Sequence, residues 1–477
     1  MKIYNTLKNK TEKINHAQKI GIYVCGITPY TECHLGHAMS ALIYDVLIRY
    51  LRWRGKEVTY VSNYTDIDDK IISMAAKLKV DPLQLAEKNI SIWEEQQKAL
   101  GLIKPTVRPR VTKEIPAIIS SIIKIIKNGN AYETEDGAVY YRVKSYEKYG
   151  NLSGRKLEEM NQNDEQGTGK KHPFDFALWK PLKHGEPFWN SPWGNGRPGW
   201  HIECSAMSQK YLGDSFEIHG GGTDLIFPHH ENEIAQAYSS GAKEFAKIWM
   251  HNGMLLVNNK KMSKSLGNYI SVEIALKKWD VNSLRFFVLS AGYRQPTNFS
   301  EEAILNADNS IQKIKKIIAD NMVFLEQKAL DTNIDIEDSY IQEFIEVMND
   351  DFNTPKALAI IFKLVNKINN GQLTILHKQQ LLKTALVLLN CMGFNLDNMT
   401  KETTINIKKL NKLAKNFNLE PADNHASIIN QLILLRNHKR ISKDFQIADK
   451  IRDDLMKIGV ILEDNESETT WMINRKY

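Results

Sequence analysis

Two short strings in this 477-residue chain carry residue types suited to holding phosphate. The first, His34-Leu35-Gly36-His37, lies where a short apolar run gives way to a helical pattern. Imidazoles donate hydrogen bonds to phosphoryl oxygens. Gly36 lets a ligand approach the backbone, and a helix N-terminus favours anions. The same string also fits an ordinary helix start in which one histidine serves as a cap, and both readings stand at this level. The second string is Lys261-Met262-Ser263-Lys264-Ser265, followed by Leu266-Gly267-Asn268. Two lysines with small hydroxyls and a nearby glycine suit a movable clamp on polyphosphate. Lysine there acts as a point charge that stabilises a leaving pyrophosphate. The alternative is a solvated basic loop.

A third set has metal-ligand chemistry: Cys25, Cys204, His229 and Glu233. Thiolate, imidazole and carboxylate are all zinc ligands. His229 and Glu233 are four apart on an expected helix, so both can face one ion. Spacing alone does not fix the group, because the close cysteine pairs of a zinc finger are missing. A cysteine is as readily a small buried hydrophobe. His201-Ile202-Glu203 has the His-x-Glu spacing of the zinc deaminases, but no Pro-Cys-x-x-Cys follows, so that reading is dropped.

These residues need elements to hold them. Residues 20–30 read as a strand ending in a Gly/Thr/Pro turn. Ala38, Leu42, Val46, Tyr50 and Trp53 then repeat at helical spacing up to Gly55, and Val58 to Ser62 reads as a second strand. Strand, helix, strand is a βαβ unit. It implies a parallel sheet with ligands at the strand C-terminal ends. Further along, 111–127 reads as an amphipathic helix and 139–143 as a strand. Residues 158–172 read as a polar surface loop, and Trp179, Trp189, Trp193 and Trp200 mark an ordered, irregular stretch. Phe216 to His219 reads as a strand broken by Gly220-Gly221-Gly222. Pro228 is expected to open a helix running to Ser239. From about 300 to 400 the pattern is helical. A small unit follows, with Ser442 as an N-cap, Ile447, Ile451 and Leu455 as an apolar stripe and Gly459 as a stop.

Composition sets the frame. The length exceeds the roughly 250–300 residues at which one core stops growing, so about three domains are expected. With 42% hydrophobic and 25% charged residues the chain is neither disordered, collagenous nor a disulfide scaffold. Four cysteines in such a length point to a reducing compartment. No secretory signal opens the chain and no apolar run spans a bilayer. The expectation is a cytoplasmic protein with no membrane partner. A net charge of +7 permits a nucleic-acid partner without requiring one.

The His-Leu-Gly-His and Lys-Met-Ser-Lys-Ser strings, in this order, resemble the two signatures of class I aminoacyl-tRNA synthetases. Five more strings look like the cysteine-specific family: Tyr23 to Thr28, Asn63 to Asp69, Gly199 to Met207, His219 to Leu225, and Phe227 to Glu233. Asp350 to Pro355 resembles the start of that family's helical anticodon-side domain, and Leu462-Glu463-Asp464 with Thr469-Thr470-Trp471 resembles its C-terminal end.

The resemblance implies an α/β fold: a Rossmann-type catalytic domain over 1–110 and 195–250, interrupted by a connective subdomain over 111–194. A lysine-motif and stem-contact region would follow over 251–305, then a helical bundle over 306–400 and a C-terminal anticodon-binding domain over 401–477. It implies a cysteine–tRNA ligase using ATP, L-cysteine and tRNA(Cys), with one Zn2+ per subunit on Cys25, Cys204, His229 and Glu233, and Mg2+ with ATP. His34, His37, Lys261 and Lys264 would be catalytic. Gly36, Ser263, Ser265 and Asp224 would bind the nucleotide, and Thr65, Trp200 and His219 the substrate. The chain is expected to act as a monomer. Cys33 and Cys391 are left as structural thiols.

Two other functions compete. An ATP-dependent cysteine ligase with an amino-sugar acceptor would lack the region beyond 300. A non-catalytic RNA-binding paralogue would have damaged active-site strings. The tail departs from the family pattern, since basic charge after Thr-Thr-Trp is displaced to Arg475-Lys476.

Overall fold

A computed structural model describes residues 1–14, 17–156, 169–262, 266–326, 336–370, 372–397, 407–421, 425–464 and 469–473. The chain divides into two compact units, Met1–Leu396 and Asp397–Tyr477.

The first unit opens with a hairpin, β1 (Lys2–Asn5) and β2 (Lys10–Lys13), which composition did not announce. Next come β3 (Lys19–Val24), α1 (Leu35–Trp53) and β4 (Glu57–Val61). β3 and β4 pair in parallel, as a βαβ unit requires. Two capped helices follow, α2 (Asp69–Leu78) and α3 (Pro82–Ala99). Asp68 accepts from the Lys70 N–H and Asp81 from the Gln84 N–H, satisfying donors that a helix start leaves open. α4 (Val111–Lys127) buries Val111, Ile115, Ile118, Ile122 and Ile125 along one stripe.

An antiparallel sheet of β5 (Ala131–Glu133), β6 (Val139–Tyr141), β7 (Phe176–Pro181) and β8 (Gly196–Pro198) comes next, with Trp179 fully buried in it. α5 (Trp200–Leu212), β9 (Phe216–Gly222), α6 (Glu231–Ser239) and β10 (Ala246–Asn252) complete the parallel sheet, in the order β10-β9-β3-β4. Most positions of these strands are buried, as a parallel sheet covered on both faces requires.

Two expectations for this unit need correcting. The three glycines after His219 do not break the strand. β9 runs through Gly222, and Gly220, Gly221 and Gly222 pair with Met250, His251 and Asn252. The reason is space, since a Cβ on Gly220 would sit 2.5 Å from the Tyr44 ring. The helix after Pro228 also starts later than expected. Ile226–His230 forms a wider turn with extended backbone at Phe227 and a cis bond to Pro228, and α6 begins at Glu231.

Beyond β10 lie β11 (Leu255–Val257), β12 (Lys260–Lys261), α7 (Val272–Lys278), α8 (Val281–Leu289) and β13 (Thr297–Phe299). The helical stretch resolves into α9 (Glu301–Glu326), α10 (Asp338–Asn349), α11 (Thr354–Asn370) and α12 (Ile375–Cys391). Asp351 ties this bundle to the chain start: its N–H donates to the Lys2 carbonyl at 3.2 Å and its carboxylate accepts from the Tyr4 N–H at 2.8 Å.

The second unit has helices at Ile407–Asn416, His425–Ile441 and Phe445–Lys457 and a hairpin of Val460–Asp464 with Thr469–Ile473. Its own core includes Leu410, Ile428, Leu432, Ile451, Leu455 and Val460. Asp444, not Ser442, caps the third helix by accepting from the Ile447 N–H. Ser442 instead closes the preceding turn through the Lys439 carbonyl.

Candidate metal centre and nucleotide site

In the parallel sheet, β3 has β4 on one side and β9 on the other. The chain leaves its two inner strands in opposite directions there, which opens a crevice at their C-terminal ends. Cys25 follows β3 directly, and its N–H bonds to the Gly220 carbonyl of β9 at 3.2 Å. Cys204 comes from the second turn of α5, His229 from the wide turn and Glu233 from the start of α6. Three separate stretches of chain, around residues 25, 204 and 229–233, thus converge. The donor atoms of Cys25, Cys204, His229 and Glu233 all lie within 4.8 Å of one another. His229 Nε2 is 3.1 Å from Glu233 Oε1, and Cys25 Sγ is 3.5 Å from the same oxygen.

The donors suit a divalent cation. Two sulfurs, an imidazole and a carboxylate match zinc chemistry, whose bonds run about 2.0–2.3 Å. Glu233 is fully buried, and among the described residues its ion-pair partners are histidines only, His219, His229 and His230. A buried anionic cluster without lysine or arginine needs a positive charge from elsewhere. Burial pushes the Cys25 thiol up, while the hydrogen bond it gives Cys204 brings that thiol down to about 6. Burial works against charge on His229, but Glu233 and Cys204 outweigh it and raise it to about 10. Burial likewise raises Glu233, yet His219 and His229 pull it down to about 2.

Surrounding groups fix the orientations. His201 Nδ1 meets His229 Nδ1 at 3.0 Å, leaving His229 Nε2 for the cluster. Trp200 stacks on the His229 ring at 4.4 Å. Asn63 accepts the Gly26 N–H at 2.9 Å, donates to Thr65 Oγ1 at 3.2 Å and lies 3.8 Å from Cys204 Sγ.

Beside this centre, α1 begins at the histidine string. The His34 and His37 rings stack at 3.8 Å, and His37 Nδ1 accepts the His34 N–H at 3.2 Å. With Nδ1 used as an acceptor, a neutral His37 carries its proton on Nε2. Burial and the adjoining His34 ring hold its pKa down to about 3. A Cβ on Gly36 would lie 3.0 Å from the His34 ring and 3.7 Å from the Met262 methyl. The two phosphate strings are therefore neighbours in space. The Leu35 N–H bonds to the Ile270 carbonyl, the Val272 N–H to the Cys33 carbonyl, and Asn268 Nδ2 to the Lys261 carbonyl. Ser263, Lys264 and Ser265 lie outside the described residues.

Residues 11–309 match the family of class I (C) tRNA synthetase catalytic domains, and residues 343–396 match the DALR domain. The cysteine–tRNA ligase of Dehalococcoides mccartyi is 44% identical over 488 residues, covering 100% of both chains. That of Coxiella burnetii is 44% identical over 479 residues, covering 99% of each. This chain belongs to the cysteine–tRNA ligase family. The fold also resembles Mycobacterium tuberculosis methionyl-tRNA synthetase in complex with methionyl-adenylate, with TM-score 0.60 and 16% identity over 79% of this chain and 92% of that one.

Within this cysteine–tRNA ligase relative, the residues singled out from sequence do not all meet. Thr65 and Trp200 flank the sulfur–histidine cluster through Asn63 and His229. His219 lies deeper, fully buried, with Nε2 2.8 Å from Glu233 Oε2 and its ring stacked on Trp249 at 4.4 Å. Asp224 is exposed. Sequence reasoning gave no role to Asn63, His201, His230 and His251. The doubled histidine at 229–230 and the asparagine opening the Asn63 to Asp69 string were the available signals.

Proposed function

We propose that this chain activates L-cysteine with ATP, forming cysteinyl-adenylate and pyrophosphate, and then transfers cysteine to the terminal adenosine of tRNA(Cys). The observation that carries this reading is the buried convergence of Cys25, Cys204, His229 and Glu233 at the strand ends, next to the paired phosphate strings. These four residues would hold zinc, which when bound supplies a soft Lewis acid that takes a thiolate and not a hydroxyl. Cysteine and serine differ by one atom, too little for shape to separate, so selection falls to binding and needs no hydrolytic correction. His201 and Trp200 keep the His229 ring in place, and Thr65 lies beside the thiol pocket. His37 offers its Nε2–H to a phosphate oxygen. Lys261 and Lys264 follow the charge that builds on the leaving pyrophosphate, with Mg2+ accompanying ATP. Asp224 sits on the adenosine side, and residues 401–477 serve the anticodon end. The four cysteines are unpaired, in keeping with work in the reducing cytoplasm.

The test is charging. Purified protein given ATP, radiolabelled cysteine and tRNA should yield acid-precipitable cysteinyl-tRNA. Cysteine-dependent pyrophosphate exchange with no label on tRNA would instead favour a small-molecule acceptor.

A further inference from the structure

We propose that the sulfur–histidine cluster offers two overlapping positions to one divalent ion, the inner one formed by Cys25, His219, His230 and Glu233. This rests on the reading of Cys25, Cys204, His229 and Glu233 as the outer position. The donor atoms of the inner set also lie within 4.8 Å of one another. Cys25 Sγ is 3.3 Å from His230 Nε2 and 3.5 Å from Glu233 Oε1. His219 Nε2 is 2.8 Å from Glu233 Oε2, and His230 Nε2 is 3.9 Å from Glu233 Oε1. Donors bonded to one ion at about 2.0–2.3 Å stand roughly 3–4 Å apart, the spacing seen here.

The two sets share Cys25 and Glu233, so they take one ion at a time. Glu233 is the hinge between them: Oε1 lies 3.1 Å from His229 of the outer set, and Oε2 lies 2.8 Å from His219 of the inner set. Each set has its own outer support. His229 rests on His201 at 3.0 Å, while His230 Nδ1 meets His251 Nε2 at 2.8 Å and His251 Nδ1 meets Thr6 Oγ1 at 2.8 Å. That chain turns His230 Nε2 toward the cluster, as partners of metal-bound histidines do. The stack on Trp249 fixes the His219 ring. His219, His230 and Glu233 are all 0% exposed. Three imidazoles crowd one buried carboxylate, more than a single four-donor site uses. The inner set has one thiolate, two imidazoles and a carboxylate, a zinc or cobalt(II) donor set. It lets the ion stay in the protein when Cys204 and His229 are not available to it.

The experiment loads the full-length protein with Co2+, removes excess metal by gel filtration, and measures bound cobalt with the near-ultraviolet thiolate-to-cobalt band. Wild type should hold one ion with a two-thiolate band. Cys204→Ser/His229→Gln should still hold one ion, with the band cut to about half. Adding His219→Gln and His230→Gln to that background should abolish binding. A folded Cys204→Ser/His229→Gln protein that holds no cobalt overturns the proposal and leaves the outer site intact. A wild-type band unchanged by Cys204→Ser removes Cys204 from the resident site, which defeats the outer reading; with cobalt then lost on His219→Gln, the inner site stands. If the double variant does not fold, Cys204→Ser alone carries the test: loss of cobalt from it overturns the proposal.

Discussion

The neighbours of His37 decide what its imidazole can do. The His34 N–H occupies Nδ1, and the surrounding protein lowers the pKa to about 3. In the unfolded chain the same group takes a proton near 6.5. The unfolded state therefore binds the extra proton between roughly pH 6.5 and 3, and acidification through that window favours unfolding. Histidine NMR of the ligand-free protein should show the His37 ring neutral at pH 5; a midpoint near 6.5 would contradict the assigned environment. At this scale the sequence was informative about which residue types matter, because thiols, imidazoles and the paired strings stand out. It was silent on His201, His230 and His251. Their roles come from which ring nitrogen faces which partner, and that geometry depends on chain segments far apart.

At the level of elements, close backbone approach governs the site. β3 and the segment after β4 meet so tightly that a Cβ on Gly26 would fall 1.6 Å from the Asn63 carbonyl oxygen. Backbone on both sides leaves no cheap escape. Gly26→Ala should cost at least about 1–3 kcal/mol of stability, as overpacking does, and should lower bound zinc by parting Cys25 from Asn63. Gly292→Ala is the control, since among the described residues nothing lies within 4 Å of its added Cβ; it should stay within about 0.5 kcal/mol. Thermal denaturation with metal analysis checks both, and equal effects would refute the packing argument. The βαβ start and the helix over 111–127 were legible because periodicity reports burial of one face. The glycine run was misread because local preference marks glycine as a breaker, while the Tyr44 ring makes it the residue that fits a strand there. The helix start was misplaced because the wide turn at 226–230 answers to tertiary packing rather than to proline preference.

Across the whole molecule, a buried ion pair links the catalytic sheet's first helix to the helices beyond it. Arg285 of α8 meets Asp45 of α1 at 2.6 Å and also donates to the carbonyls of Leu100 and Met392. Arg285→Ala leaves Asp45 with Arg49 at 2.9 Å and the Ile103 N–H at 2.7 Å but without its buried cation, and should cost about 1–3 kcal/mol, seen as a lower unfolding midpoint; a loss under about 0.5 kcal/mol would make the pair dispensable. The second unit has a core of its own, so deleting residues 397–477 should spare cysteine-dependent adenylate formation while weakening tRNA charging at least tenfold. Equal loss of both would make the segment structural to the first unit. Among the described residues, no helix is long and apolar enough to cross a membrane. Fading strand signals after 300 marked the helical stretch in the sequence, and the stripe of Ile447, Ile451 and Leu455 with the stop at Gly459 marked a separate small unit after it. The hairpin of Val460–Asp464 with Thr469–Ile473 was missed because each strand is only five residues long and the first ends in Glu463-Asp464, which blurs the strand pattern.

The central claim is that the sulfur–histidine cluster selects cysteine by its thiol. ATP–pyrophosphate exchange tests it most directly, run with cysteine and with serine on zinc-loaded and on chelator-stripped protein. Exchange with cysteine alone, lost on stripping and restored by zinc, is the predicted result. Exchange with serine at a comparable rate, or cysteine exchange indifferent to zinc, would contradict it.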